Sequence, residues 1–262
     1  MEWQEGDFDM TEFKNRVALV TGASRGIGRA VAAAFASRGA RVVIHFNQNT
    51  ASAEETIASL PGAGHMTVQA DVGNPNAVKT MIDHTARRMG TIDILVNNAG
   101  VFEEHPPLKT DFEDWVSAWK KTIDINLMGS AHASFCAARH MIKTGGGRII
   151  NITSRGAFRG EPDAPAYGAS KAGQNALSQS LAKAFAPHHI YVYAVAPGWV
   201  ATDMAADHLE GPEGDAIRAQ SPMNRVAKPE EVADCVVFLA SEGHDFMTGA
   251  VIDINGASYL RT

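Results

Sequence analysis

The chain has 262 residues, is 45% hydrophobic and 20% charged, and carries a formal net charge of -6. An acidic balance with no basic run argues against nucleic acid or an anionic membrane as partner. No stretch approaches the roughly 18 apolar residues of a bilayer span, and the acidic start lacks a cationic or apolar signal segment, so the expected setting is the cytoplasm.

Residues 1–14 read as a poorly ordered extension in which Trp3 and Phe8 are available to pack on a partner subunit. Residues 15–262 read as one domain, because no linker, repeat or composition shift divides them. Short β-branched runs then recur at Val17–Val20, Arg41–Ile44, Met66–Ala70, Ile92–Val96, Arg148–Ile152, Ile190–Val195 and Ala250–Ile254. Each is nearly continuously apolar, as strands buried on both faces of a parallel sheet are. The segments between them have helical periodicity. In the first, Ile27, Val31, Ala34 and Phe35 share a face and Gly39 follows as a stop. Repeated strand–helix–strand units imply right-handed crossovers. The expected fold is α/β: a doubly wound, seven-stranded parallel sheet of Rossmann type with helices on both faces. The stretch 199–226 is punctuated by Pro and Gly and only weakly periodic, and reads as a mobile segment over a site. Cys136 and Cys235 sit apart in apolar helical stretches and read as reduced thiols.

The first strand runs into Thr21-Gly22-Ala23-Ser24-Arg25-Gly26-Ile27-Gly28 and then a helix. Glycines there allow a tight turn and close approach of a pyrophosphate to the free N–H groups of the helix start. The end of the second strand, Ile44-His45-Phe46-Asn47-Gln48-Asn49-Thr50, has no Asp or Glu to bind a ribose 2′-hydroxyl. Arg25 and Asn47 can donate to a 2′-phosphate, so NADP(H) is favoured over NAD(H); the alternative is that Arg25 is a solvated loop charge.

Tyr167 and Lys171 stand four apart at the start of a helical pattern, so both side chains fall on one face. A phenol ionises near pH 10, and an ammonium beside it, with a cationic nicotinamide, is expected to pull it toward neutrality for proton transfer.

From about Arg16 to its end the chain resembles the short-chain dehydrogenase/reductase family. The resemblance rests on the glycine loop, Asp71-Val72, Asn97-Asn98-Ala99-Gly100, Asn126, Ser154 thirteen residues before Tyr167, and Pro197-Gly198 with Thr202. It implies a catalytic set of Ser154, Tyr167, Lys171 and Asn126. Ser154 would bind the substrate oxygen, Tyr167 would transfer the proton, Lys171 would hold the nicotinamide ribose, and Asn126 would hold a relay water. It implies a dinucleotide on Gly22, Ser24, Arg25, Gly26, Ile27, Gly28, Asn47, Asp71, Val72, Asn98, Ala99, Gly100, Tyr167, Lys171, Pro197, Gly198, Val200 and Thr202.

Substrate contacts are expected from Ser154, Tyr167, Phe158 and Trp199, with Glu161, Met204, His208 and Leu209 as further candidates, for a small carbonyl or alcohol. No metal site is expected, since neighbouring His188 and His189 diverge and lack other ligands. Trp115 and Trp119 read as a packing stripe. The resemblance also implies a homo-oligomer, tetramer or dimer. The nearest subgroup in texture is the 3-oxoacyl-acyl carrier protein reductases, although the basic residues that would hold an acidic carrier are missing near Gly145 and His188, leaving Arg155–Gly160 to supply charge. A dinucleotide-binding scaffold without turnover is the alternative from another class.

Overall fold

The computed structural model describes residues 12–261; Trp3 and Phe8 lie outside them. Seven strands form one parallel sheet in the order β3-β2-β1-β4-β5-β6-β7. They are β1 (Val17–Val20), β2 (Arg41–Phe46), β3 (Met66–Gln69), β4 (Ile94–Asn97), β5 (Gly147–Ile152), β6 (Ile190–Pro197) and β7 (Val251–Ile254). Each pair is in register over its length, as in Val17 opposite Arg41 and Ile94 opposite Arg148.

Side chains alternate faces along a strand, and the alternation divides the apolar runs between two cores. Ala18, Val20, Val42, Ile44, Val96, Ile150 and Val195 point to one side, Val17, Leu19, Val43, Leu95, Ile149 and Val192 to the other. The first side is covered by α1 (Gly26–Ser37), α2 (Thr50–Ser59) and α10 (Pro229–Ala240), through Val31, Phe35, Ala53, Val232 and Val236. The second is covered by α3 (Pro75–Met89), α5 (Gly129–Thr144) and α7 (Pro165–Phe185), through Met81, Ile82, Ala137, Met141 and Ala182. Phe13, which the sequence reading places in the N-terminal extension, is buried in the first core and meets Phe35 edge to face at 5.1 Å.

Helix starts are marked in the sequence. Asn74 accepts from the Asn76 and Ala77 N–H groups ahead of Pro75, and Asp111 accepts from Asp114 N at the head of α4 (Phe112–Thr122). Between α4 and α5 the helix continues through a wider π-type turn, Ile123–Met128. A short α6 (Gly156–Arg159) follows β5; α8 (Ala206–Glu210) and α9 (Gly214–Ala219) lie within the stretch 199–226. Among the described residues no helix is long and apolar enough to cross a membrane. The chain leaves β1 toward β2 on one side and returns to β4 on the other, so the carboxyl ends of β1 and β4 open a crevice, the usual ligand position in such sheets.

Candidate active site

A cleft of about 560 Å³ lies along the carboxyl ends of the strands. One end is the glycine loop. Gly22 is left-handed (φ 62°), and a Cβ on it would sit 2.9 Å from the Ala99 Cα. Gly28 does not line the cleft; a Cβ there would be 2.4 Å from the Gly22 carbonyl oxygen, so its part is to let α1 close on the loop. The other expected cofactor residues all line the cleft.

Hydrogen bonds from neighbouring strands fix the loop. The Thr21 hydroxyl donates to the Val96 carbonyl and accepts from the N–H groups of Asn98 and Ala99. The Asn98 amide donates to the carbonyls of Thr21 and Gly22. His45, at the end of β2, is a functional residue that the sequence reading missed. Its Nδ1 accepts from Gly22 N at 3.0 Å, which leaves Nε2–H to donate to the Ala70 carbonyl at 3.0 Å. Burial pushes its pKa down to about 4, so the ring is neutral. Nothing in the sequence distinguished it from an ordinary strand residue.

At the other end stand Ser154, after β5, and Tyr167 and Lys171, on α7. The Ser154 Oγ accepts from Gly156 N at 3.0 Å. The Lys171 amine, 4% exposed with its residue, donates to the Ile152 carbonyl and to Gln174 Oε1, both at 2.9 Å, and lies 5.7 Å from the centre of the Tyr167 ring. Burial pushes the phenol up to about 12, against the pull of the Ser154 hydroxyl and with the Glu161 carboxylate adding to the rise. Burial also pushes the amine down to about 7. In the protein alone, removal from water dominates the phenol; the lowering expected from the amine together with a cationic nicotinamide requires the bound cofactor.

Asn126 lies in the π-type turn and does not line the cleft. Its Oδ1 accepts from Val101 N, and its Nδ2 donates to the Val101 carbonyl and Ser170 Oγ. It clamps the segment after β4 to α7. His105, also missed from the sequence, caps α7: its Nε2 accepts from Ala166 N and its Nδ1–H donates to the Glu103 carbonyl. The Trp115 ring meets His105 edge to face at 5.5 Å and lies tilted against Trp119 at 5.7 Å.

The substrate side is walled by Trp199, Met204, His208, Glu161 and Phe102. Phe102, not foreseen, meets the Tyr167 ring at 5.1 Å. Two expected contacts are corrected. Phe158 packs under the Arg261 guanidinium at 4.4 Å, and neither it nor Leu209 lines the cleft. Of the two charges in the stretch Arg155–Gly160 expected to serve an acidic carrier, Arg155 is only 3% exposed, while the Arg159 side chain is 31% exposed and pairs with Glu161.

The family model described as enoyl-(acyl carrier protein) reductase matches residues 22–257. The chain is 39% identical over 246 residues to cis-4-hydroxycyclohexanecarboxylate dehydrogenase of Sinomonas cyclohexanicum, covering 93% of this chain and 96% of that one. It is 38% identical over 254 residues to 3-oxoacyl-[acyl-carrier-protein] reductase of Synechocystis, covering 96% and 100%. The crystal structure of gox2181 superimposes with a TM-score of 0.88 at 35% identity, over 95% of this chain and 98% of that one.

His45 generates a pH prediction. Unfolded, the ring takes up a proton near 6.5; folded, it resists to about 4. Its contribution is complete above pH 6.5 and is lost as the pH falls toward 4. At about 1.4 kcal/mol per pH unit the full effect is on the order of 3 kcal/mol. Urea denaturation at pH 7, 5.5 and 4 should show the loss in wild type and a flatter profile in His45→Gln; parallel profiles would refute it.

Proposed function

The chain belongs to the short-chain dehydrogenase/reductase family, and from that premise we propose how its cleft works. The protein is an oxidoreductase that interconverts a carbonyl and an alcohol with a nicotinamide dinucleotide. The cleft suits such a cofactor on its own evidence: a Cβ on Gly22 would meet the Ala99 backbone at 2.9 Å, one on Gly26 would meet the Thr202 methyl at 3.2 Å, and one on Gly100 would stand 3.3 Å from Asn126 Oδ1 and 3.6 Å from the Lys171 amine, so backbone lies open along the floor. Bound there, the dinucleotide supplies or accepts the hydride and, when oxidised, adds a positive charge.

In the reductive direction Tyr167 donates a proton to the carbonyl oxygen, and Ser154 donates a hydrogen bond to the same oxygen as charge develops on it. Lys171 would hold the nicotinamide ribose hydroxyls and pass a proton toward solvent, with Asn126 positioning the relay, and Thr202, which also lines the cleft, would bind the carboxamide. A unit charge about 4 Å away is worth ~4 kcal/mol in protein surroundings, about three pH units. Burial holds the phenol at about 12, so the Lys171 amine when protonated and an oxidised nicotinamide would each favour the phenolate. The observation that carries this reading is the convergence of Ser154, Tyr167 and Lys171 in one cleft with the glycine loop.

NADP(H) is the preferred cofactor in this reading. The cleft wall after β2 runs through Phe46, Asn47, Gln48 and Asn49 without a carboxylate, and exposed Arg25 makes no ion pair among the described residues. The second reading of the activity, 3-oxoacyl-acyl carrier protein reduction, draws on the Synechocystis relative and loses support from the burial of Arg155. The setting is cytoplasmic, in keeping with two unpaired cysteines. The assembly is a homo-oligomer built on the α4–α5 face, where Phe112, Val116, Phe135 and Ile142 are all at least 44% exposed.

Three outcomes are expected. Tyr167→Phe lowers kcat by at least about 100-fold while NADPH fluorescence titration shows binding retained; near-normal turnover would remove Tyr167 as the proton donor. Wild type has the higher kcat/KM with NADPH than with NADH, and Arg25→Ala erodes that preference about tenfold; a wild-type NADH preference would reverse the cofactor assignment. Light scattering gives a multiple of the 27.9 kDa chain mass, reduced in Phe135→Glu.

A further inference from the structure

Two guanidinium groups and one carboxylate stand together on the substrate side of the cleft: Arg155, Arg159 and Glu161. Arg159 and Glu161 pair with each other at 3.4 Å. That leaves Arg155, whose residue is 3% exposed. Its hydrogen bonds go to neutral oxygens only, Ser258 Oγ through Nη1 and Gln220 Oε1 through Nη2. Among the described residues no carboxylate forms an ion pair with it. Of the other acids lining the cleft, Asp71 belongs to the dinucleotide half and Asp203 is exposed to water.

A guanidinium this deeply buried ordinarily has a countercharge. Desolvation and the nearby Arg159 push its pKa down to about 10 against a smaller opposing pull from Glu161, an electrostatic cost that a further anion would relieve. A second observation points the same way. Arg155 and Trp199 together form the partition between the cleft and an adjoining chamber of about 240 Å³. The Trp199 Nε1–H is buried with no acceptor. The cleft that holds Ser154 is thus lined by a guanidinium without a paired carboxylate, together with aromatic surface from Phe102 and Trp199.

We propose that the substrate carries a carboxylate, which docks against Arg155 while its carbonyl or hydroxyl lies at Ser154 and Tyr167. The substrate class is then an oxo acid or hydroxy acid with an apolar body between its two oxygen functions. The planar guanidinium fork suits a carboxylate, and the aromatic walls suit the body. Arg155 sets specificity and takes no part in the chemistry. This inference rests on the oxidoreductase reading above.

The test compares matched pairs with full-length enzyme and NADPH or NADH: 4-oxocyclohexanecarboxylate and 4-oxopentanoate, each against its methyl ester, with cyclohexanone as a ketone lacking the group. The acids are expected to exceed their esters in kcat/KM by about 10- to 100-fold. In Arg155→Gln the ratio should shrink toward one, with melting temperature and NADPH binding reporting that the variant is folded. The wild-type ratio stands as a test even if that variant does not fold. Esters and cyclohexanone turned over as well as the acids would overturn the inference alone. A preserved acid preference in folded Arg155→Gln would overturn the assignment to Arg155. Failure to turn over any ketone with either cofactor would overturn the oxidoreductase reading and this inference with it.

Discussion

A lysine amine almost wholly removed from water is the constraint around which the middle of this protein is organised. An ammonium in low dielectric is tolerated only with hydrogen-bond acceptors around it. Lys171 finds two, the Ile152 carbonyl at the end of β5 and Gln174 Oε1 one turn along α7. Gln174 is held in turn, its amide donating to Ser130 Oγ, which donates to the Asn126 carbonyl. Asn97 donates to Asn151, Asn151 to Ser178, and Ser178 to the Gln174 carbonyl. This ladder of buried polar groups joins β4, β5, α5 and α7 beneath the cleft. Every member is nine-tenths or more buried, so an unsatisfied rung would cost roughly 1–3 kcal/mol. The same bonds that make the amine affordable fix where it points.

Burial has opposite consequences for the two members of the Tyr167–Lys171 pair. It disfavours the phenolate and it disfavours the ammonium, so each is displaced toward its neutral form. Positive charge brought near the phenol favours its ionised form. Proton transfer at Tyr167 thereby becomes conditional on what occupies the rest of the cleft, and the glycine loop, held by Thr21, Asn98 and His45, governs that occupancy.

The sheet was legible because each strand is buried on both faces, which makes its sequence an unbroken apolar run; all seven appeared within a few residues of their ends. The cofactor loop and the Ser154–Tyr167–Lys171 set were legible through spacing, which a helix or a strand end translates directly into geometry. What stayed hidden was polar and buried. His45, His105, Asn151 and Gln174 look in sequence like any strand or helix polar residue, and only the fold shows that each closes a backbone or side-chain bond inside the core. Arg155 was misjudged for the same reason, since a charged side chain reads as a surface group until its neighbours are known. Phe158 falls outside the cleft because α6 places its ring under Arg261. Side-chain direction in so short a helix does not follow from position alone.

The wide turn at Ile123–Met128, closed by a bond from Gly129 N to the Asp124 carbonyl, acts as a phase shifter in an otherwise continuous rod. A π-type turn holds one residue more than an α-helical one, and one residue is about 100° of rotation. The surplus residue lets α4 face α7 while α5 presents Ala133, Ala137 and Met141 to the sheet. Loss of a single residue there would restore an ordinary helix and swing that alanine face away from its core. Length in this stretch is therefore constrained, and its tolerance to deletion should be poorer than that of a surface loop of equal span.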